Sequence, residues 1–67
     1  MKSYSSREII KILKYDGWEI QRVEGSHHHF VHKAKKGIVT VSHPRKDFPR
    51  RTLISIFSQA RLKEHLQ

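Results

Sequence analysis

The chain contains no cysteine among its 67 residues. This absence excludes disulfide bonds, thiolate-bound zinc and cysteine nucleophiles together. Long apolar runs are missing as well: none approaches the roughly 20 residues needed to cross a bilayer, and the N-terminus lacks the apolar core of a signal peptide. We therefore expect a single soluble, cytoplasmic domain over residues 1–67, with little room for a deep substrate cavity.

Acidic side chains are also scarce. Six Asp and Glu stand against 14 Lys and Arg, so the formal net charge is +8 at pH 7. A charge of this sign and density favours a polyanionic partner, most often a nucleic acid. The basic residues concentrate in two stretches, 33–36 and 45–51. A solvated surface without a partner is the alternative, and membrane binding is disfavoured because neither predicted helix pairs a broad basic face with an exposed aromatic face.

The first predicted element is a helix over about residues 6–15. It starts at a capping box, Ser5-x-x-Glu8, in which the serine oxygen and the glutamate side chain each accept a backbone N–H of the other residue. An apolar stripe that begins at Ile9 is expected to face the core. Gly17 ends the helix, because glycine adopts a left-handed conformation at little cost.

Three extended segments follow the helix. "WEIQRV" has the period of a strand, "HHHFVH" continues after a Glu-Gly-Ser turn, and "GIVTVSH" is a β-branched run that stops before Pro44. Their short connections predict an antiparallel meander. In the first segment, strict alternation places Trp18, Ile20 and Arg22 on one face of the strand. It places Glu19, Gln21 and Val23 on the other face.

The last predicted element is a second helix with Thr52 as its N-cap. Leu53, Ile56, Phe57 and Ala60 have the spacing of one apolar stripe, which is expected to pack into the core. The element order α-β-β-β-α therefore predicts an α+β fold, in which two helices cover one face of a three-stranded antiparallel sheet.

Three consecutive histidines occupy the start of the second strand. Alternate side chains of a strand share a face, so His28 should lie on the face of Phe30, the best core candidate of this strand. That places His28 at the rim of the helix-covered face, where packing can fix its ring for acid–base chemistry. His27 and His29 should face solvent.

Other roles for these histidines are weaker. Two solvent-facing histidines can bind a metal adventitiously, but a catalytic zinc site needs about three protein ligands and a structural one about four. The chain offers neither an HExxH motif nor a cysteine to complete such a site, so no metal or cofactor is expected. Ser26 lacks the sequence context of a serine nucleophile. The run could also consist of ordinary strand residues.

Four motifs occur in a fixed order: a helix that ends in "DGW", then "GSHHHF", "GIVTVSHP" and "TLISIFSQA". Together they resemble the HicA-type toxins of bacterial toxin–antitoxin systems, the YcfA-like mRNA interferases. The resemblance covers about residues 3–60 and leaves 61–67 as a C-terminal extension. It implies a fold like that of the double-stranded-RNA-binding domain. It also implies a metal-independent ribonuclease that a HicB-type antitoxin inhibits by covering the site.

The catalytic histidine of that family lies in a Gly-Ser-x-His motif, which Gly25, Ser26 and His28 fill in this chain. The resemblance thus implies that His28 is catalytic, the same residue that strand alternation selects. His43 is the obvious candidate for a second catalytic group, although its place before Pro44 at a strand end favours a structural role.

Phosphate contacts to RNA are expected from the two basic stretches. The residues expected to make them are Lys33, Lys35, Lys36, Arg45, Lys46, Arg50 and Arg51. The same fold and charge also fit a competing function, a non-catalytic RNA-binding module of the double-stranded-RNA-binding type. Cleavage of RNA by the pure protein in excess EDTA separates the two hypotheses.

The chain departs from the family pattern at both ends of the second helix. Arg51 stands where family members often carry a glycine before "TL". Arg61 stands where they usually carry the glycine of "AGL". Without that glycine, the second helix is expected to run on into "LKEHLQ".

Overall fold

The computed structural model describes residues 3–66. Its elements in chain order are α1 (Ser6–Tyr15), β1 (Trp18–Glu24), β2 (His27–His32), β3 (Val39–Ser42), α2 (Arg50–Gln59) and a short 3₁₀ helix (Lys63–Leu66). The three strands form one antiparallel sheet in the order β1-β2-β3. Two connections matter for the site, the β2–β3 loop (33–38) and the β3–α2 loop (43–49). The predicted α+β order and antiparallel sheet are confirmed.

The boundaries of α1 follow from its two ends. The backbone N–H of Glu8 donates to Ser5 Oγ at 3.2 Å, and the backbone N–H of Ser5 donates to Glu8 Oε1 at 2.9 Å, so the predicted capping box forms. At the other end Gly17 has a φ of 105°. A Cβ there would also lie 2.9 Å from His32 Nε2, so both the backbone angle and the space require glycine.

The core fills the space between the sheet and the two helices. Phe30 is fully buried at the middle of β2, opposite Ile20 of β1 and Val39 of β3. The predicted apolar stripe of α2 is buried against it, as expected. One continuous cluster results, made of Tyr4, Ile9, Leu13, Trp18, Phe30, Val39, Val41, Phe48, Leu53, Ile56, Phe57, Ala60 and Leu62.

β1 does not keep strict alternation along its length. Ile20 and Arg22 lie opposite consecutive residues of β2, so Gln21 between them forms a bulge. One extra residue in a strand moves the side chains after it to the other face. The prediction that Arg22 shares the face of Trp18 and Ile20 is therefore wrong: Val23 takes that face, and Arg22 points to the open side of the sheet.

The start of α2 also differs from the prediction. The helix begins at Arg50 with Pro49 as its N-cap, and Thr52 lies within the first turn without capping it. The backbone carbonyl of Pro49 accepts the N–H of Leu53 at 3.1 Å, which is the first intrahelical bond. The N–H groups of the first turn lack an intrahelical acceptor, but Arg50 and Arg51 are exposed, so water can take the place of a side-chain cap.

Arg61 terminates α2, so the expected continuation into the tail is wrong. The helix ends at Gln59, and Arg61 adopts a φ of 58°. The N–H of Leu62 then donates to the Phe57 carbonyl at 2.8 Å, and the N–H of Arg61 donates to the Ser58 carbonyl at 3.2 Å. This is the hydrogen-bond pattern of a Schellman motif, with arginine in the place that glycine usually takes. The turn buries Leu62, which is only 5% exposed. This burial favours the turn even though an arginine, and not a glycine, takes the left-handed position.

Replacing Arg61 by glycine should stabilise the fold. A left-handed conformation costs a residue with a Cβ about 1–2 kcal/mol, and glycine avoids that cost. For a domain of this size each 1 kcal/mol corresponds to a shift of roughly 4–8 °C in Tm. Thermal melts of the parent, Arg61→Gly and Arg61→Ala test this. Only the glycine variant should melt higher, and an equal rise in the alanine variant would attribute the effect to the lost charge instead of the backbone.

Candidate active site

His28 lies on the helix-covered face of the sheet. It stands opposite Val23 on β1 and Val41 on β3, and Val41 is fully buried in the core. His28 itself is half-buried, because it is close to the end of the strand where the cover of the helices stops. The predicted alternation of β2 is confirmed for this residue and for Phe30.

The carbonyl of Ser26 fixes the turn that precedes β2. It accepts the backbone N–H of His43 at 2.8 Å, and it lies 3.2 Å from Nδ1 of His28. A carbonyl oxygen can only accept, so Nδ1 of His28 carries a proton in this contact. Nε2 of His28 has no hydrogen-bond partner within residues 3–66, and in the neutral ring it holds the lone pair. Gly25 gives the turn its positive φ of 60°.

The ring of His43 lies beside that of His28. Their centroids are 5.1 Å apart and the rings are almost perpendicular, at 88°. Nδ1 of His43 is 2.7 Å from Oγ of Ser6, which also accepts the backbone N–H of Arg45 at 2.8 Å. The backbone N–H of Ser6 donates in turn to the Arg45 carbonyl at 2.8 Å. The first residue of α1 therefore anchors the segment that follows β3.

Ser6 was not identified from the sequence. It is only 1% exposed, although it is polar and occupies the first position of a helix, where side chains are usually solvated. His43, whose ring nitrogen it contacts, is 37 residues away along the chain. No local pattern could have indicated this contact.

His29 occupies the open face of the sheet, as expected, but it is not solvated. Only 13% of its side chain is exposed, because its Nδ1 lies 2.8 Å from Thr40 Oγ1 and its Nε2 lies 2.9 Å from Glu24 Oε1. The hydrogen bond from His29, with the nearby charge of Arg22, lowers the pKa of the Glu24 carboxyl below its ordinary value. Both ring nitrogens of His29 are therefore occupied. His27 is exposed on the same face.

His32 has a structural role at the opposite end of β2. Its Nε2 donates to the Asp16 carbonyl at 2.7 Å, and its Nδ1 accepts the backbone N–H of Ala34 at 2.9 Å. Nζ of Lys35 donates to Asp16 Oδ2 at 2.6 Å and to the Ala60 carbonyl at 3.0 Å. These bonds tie the C-terminal ends of both helices to the β2–β3 loop.

The seven residues expected to bind RNA fall into two groups. Arg45 and Lys46 are exposed in the β3–α2 loop, directly after His43, and Arg50 and Arg51 are exposed in the first turn of α2. The guanidinium of Arg45 lies over the Phe48 ring, 4.8 Å from its centroid. All four residues of this group come after His43 in the chain, within eight positions of it.

The second group lies at the far end of the sheet. Lys33 and Lys36 are exposed in the β2–β3 loop, about five residues of extended strand from His28. At about 3.3 Å per residue, this corresponds to roughly 16 Å. The ammonium of Lys35 is held in its ion pair with Asp16, so of the three lysines it is the least available to a ligand.

The described part of the chain, 3–66, contains no group of three or more His, Asp or Glu side chains arranged to hold a metal ion. No helix in that part is long and apolar enough to cross a membrane.

The architecture is that of a small basic α+β protein with two histidines at the rim of its sheet. A family model described as the HicA toxin of bacterial toxin–antitoxin systems matches residues 6–62. The chain therefore belongs to the HicA toxin family. No curated protein matches the chain.

Proposed function

We propose that this chain is the toxin of a type II toxin–antitoxin system and that it acts as a metal-independent endoribonuclease on mRNA. Its catalytic residue is His28, held by the turn of Gly25 and Ser26. One observation carries the proposal: Nδ1 of His28 is bound to the Ser26 carbonyl, which leaves Nε2 at the rim of the sheet. A ring held in this way presents one defined nitrogen to a substrate.

The chemistry that this requires is modest. RNA carries its own nucleophile, the 2′-hydroxyl, beside each phosphodiester bond. Nε2 of neutral His28 can take the proton of that hydroxyl, or the protonated ring can give one to the leaving 5′ oxygen. Acid–base help of this kind typically contributes about 10²–10⁴ in rate. Cationic side chains that hold the phosphate would stabilise its developing charge.

The other histidines of β2 fit this role less well. His29 and His32 each have both ring nitrogens in hydrogen bonds to protein groups, so neither has a nitrogen available without breaking one. His27 is exposed and lacks a packed neighbour on the helix-covered face. Position, hydrogen bonding and the Gly-Ser-x-His motif therefore favour His28.

RNA binding is proposed to be largely electrostatic. The β3–α2 loop and the start of α2 supply the cations that follow His43, and the β2–β3 loop extends the basic surface along the sheet. RNA lying along the sheet edge can contact both groups. Lys35 remains a proposed contact, but its ion pair with Asp16 makes its contribution the smallest of the seven.

A HicB-type antitoxin is the proposed partner, and the cytoplasm the proposed location. The surface beside His28 suits a protein partner, because Ile20 and Val23 on the helix side of β1 are 45% and 50% exposed. Exposed apolar residues on a chain with a net charge of +8 favour a partner with apolar and acidic side chains, since cations covered by an interface need to be paired.

His28→Ala should abolish RNA cleavage and growth arrest. The ring is at the rim of the core, so its loss should leave the protein folded. His27→Ala should keep most of the activity, and His29→Ala should do so as well, because its hydrogen bonds lie on the opposite face. The measurement is RNA cleavage in excess EDTA, with circular dichroism to verify folding.

Two outcomes of that experiment contradict the proposal. Full activity of the His28 variant would show that another group does the chemistry. If the parent binds RNA but does not cleave it under any condition, the chain is a non-catalytic RNA-binding module, which the same fold and charge could also provide.

The affinity for RNA should fall steeply with salt. If about four phosphates are neutralised, the slope of log affinity against log salt should be roughly −3 for single-stranded RNA. Binding is measured with the His28→Ala variant to avoid cleavage. Lys46→Ala should reduce the steepness by about 0.7, whereas Lys14→Ala, which removes the same charge from α1, should not. A flat salt dependence would be inconsistent with this mode of binding.

Overproduction of this chain alone should arrest growth, and co-production of its partner should relieve the arrest. The partner is expected to co-purify with the chain from the native operon, to be acidic where it makes contact, and to block RNA cleavage at an equimolar ratio. Cleavage assays at increasing partner concentration measure this. A chain that is always isolated alone and is harmless when overproduced would argue against a toxin.

A further inference from the structure

We infer that His43 is a second catalytic residue that donates a proton to the leaving 5′ oxygen, and that Ser6 is its positioning residue. This inference rests on the proposed ribonuclease function. It assigns to His28 the removal of the proton from the 2′-hydroxyl. Three features of the structure carry it: the closeness of the two rings, the anchoring of His43, and the chemistry of the Ser6 hydroxyl.

The two rings are close enough to act on one substrate group. With centroids 5.1 Å apart the two rings are in contact, so both can reach oxygens of a single phosphodiester bound beside the pair. Each ring uses Nδ1 for a contact inside the protein, His28 to the Ser26 carbonyl and His43 to the Ser6 hydroxyl. For both rings Nε2 is the nitrogen without a partner in residues 3–66. Each ring of the pair therefore keeps its Nε2 for a substrate.

The position of His43 is fixed from three sides. Its backbone N–H is bound to the Ser26 carbonyl, the same atom that contacts His28. Its ring is bound to Ser6 Oγ at 2.7 Å, and the next non-proline residue, Arg45, donates its backbone N–H to that oxygen. One buried hydroxyl and one carbonyl thus determine the geometry of the histidine pair.

The two partners of Nδ1 differ in chemistry, and the difference suits two roles. A carbonyl only accepts, so it holds the proton on Nδ1 of His28 and leaves Nε2 as a base in the neutral ring. A hydroxyl accepts from a protonated Nδ1 and donates to an unprotonated one. Ser6 can therefore hold His43 with a proton on Nε2 in the charged ring and also in the neutral Nε2–H tautomer, whereas the Ser26 carbonyl excludes that tautomer for His28.

Proton transfer by the two rings accompanies bond formation and bond cleavage at phosphorus. Nε2 of neutral His28 takes the proton of the 2′-hydroxyl while the 2′ oxygen forms a bond to phosphorus. The bond from phosphorus to the 5′ oxygen breaks, and Nε2 of protonated His43 gives its proton to that oxygen. The products are a 2′,3′-cyclic phosphate and a 5′-hydroxyl. His28 ends charged and His43 neutral, and exchange of protons with water restores both.

A substrate whose leaving group needs no proton distinguishes a His43 that donates a proton from a His43 that only supports the structure. The linkage that the parent cleaves is first mapped on an RNA oligonucleotide. The same oligonucleotide is then prepared with sulfur in place of the 5′ bridging oxygen at that linkage, because a thiolate leaves without protonation. Single-turnover rates on both substrates are measured in EDTA for the parent, His43→Asn, Ser6→Ala and His28→Ala.

His43→Asn should slow cleavage of natural RNA by about 10²–10⁴-fold. It should slow cleavage of the sulfur-containing substrate by much less, since no proton is needed there. Asparagine keeps a polar atom near the position of Nδ1, so the Ser6 contact and the fold should persist. Ser6→Ala should show the same selectivity with a smaller loss on natural RNA. His28→Ala should lose activity on both substrates.

Equal losses on both substrates for His43→Asn and Ser6→Ala would overturn the inference and leave His43 as a structural residue. Full activity of His43→Asn on natural RNA would overturn it as well. Should His43→Asn fail to fold by circular dichroism, the selectivity of Ser6→Ala decides. A parent that cleaves neither substrate would refute the ribonuclease function itself, and this inference with it. When the parent cleaves both substrates, a negative result with the variants counts against the role of His43 alone.

Discussion

Burial of Phe30 is the constraint on which the rest of the site depends. The side chain is fully buried in the core cluster, and full burial of an aromatic side chain contributes about 1.5–3 kcal/mol. A slip of one residue would expose Phe30 and push a histidine into the core. The register of β2 is thereby fixed, and with it the face on which each of its histidines lies. His28 owes its place at the covered rim to the burial of a residue two positions away.

Once the faces are fixed, hydrogen bonding separates the histidines into two groups. His32 uses both ring nitrogens to hold α1 and the β2–β3 loop together, and His29 uses both on the open face of the sheet. His28 and His43 each use one nitrogen and leave the other without a protein partner in residues 3–66. A small domain that cannot enclose its substrate can still hold a reactive group in this way, because each ring needs only one fixed contact.

Much of this architecture could be predicted from local sequence, because it rests on local physics. The capping box, the period of β2 and the apolar stripe of α2 involve neighbouring residues, and each was confirmed. What could not be predicted depends on distant contacts. The bulge at Gln21 reflects pairing with β2, and the burial of Ser6 reflects a partner 37 residues away. Arg61 takes a glycine conformation because the turn buries Leu62 against the core.

The proposed chemistry requires that packing leave His28 with its proton on Nδ1 and its Nε2 open. Long-range ¹H–¹⁵N correlation spectra of the imidazole rings measure this directly, at a pH where the rings are neutral. We expect His28 in the Nδ1–H tautomer and His32, as an internal reference, in the Nε2–H tautomer. A His28 ring that is averaged between tautomers, or protonated on Nε2, would contradict the arrangement from which its catalytic role is argued.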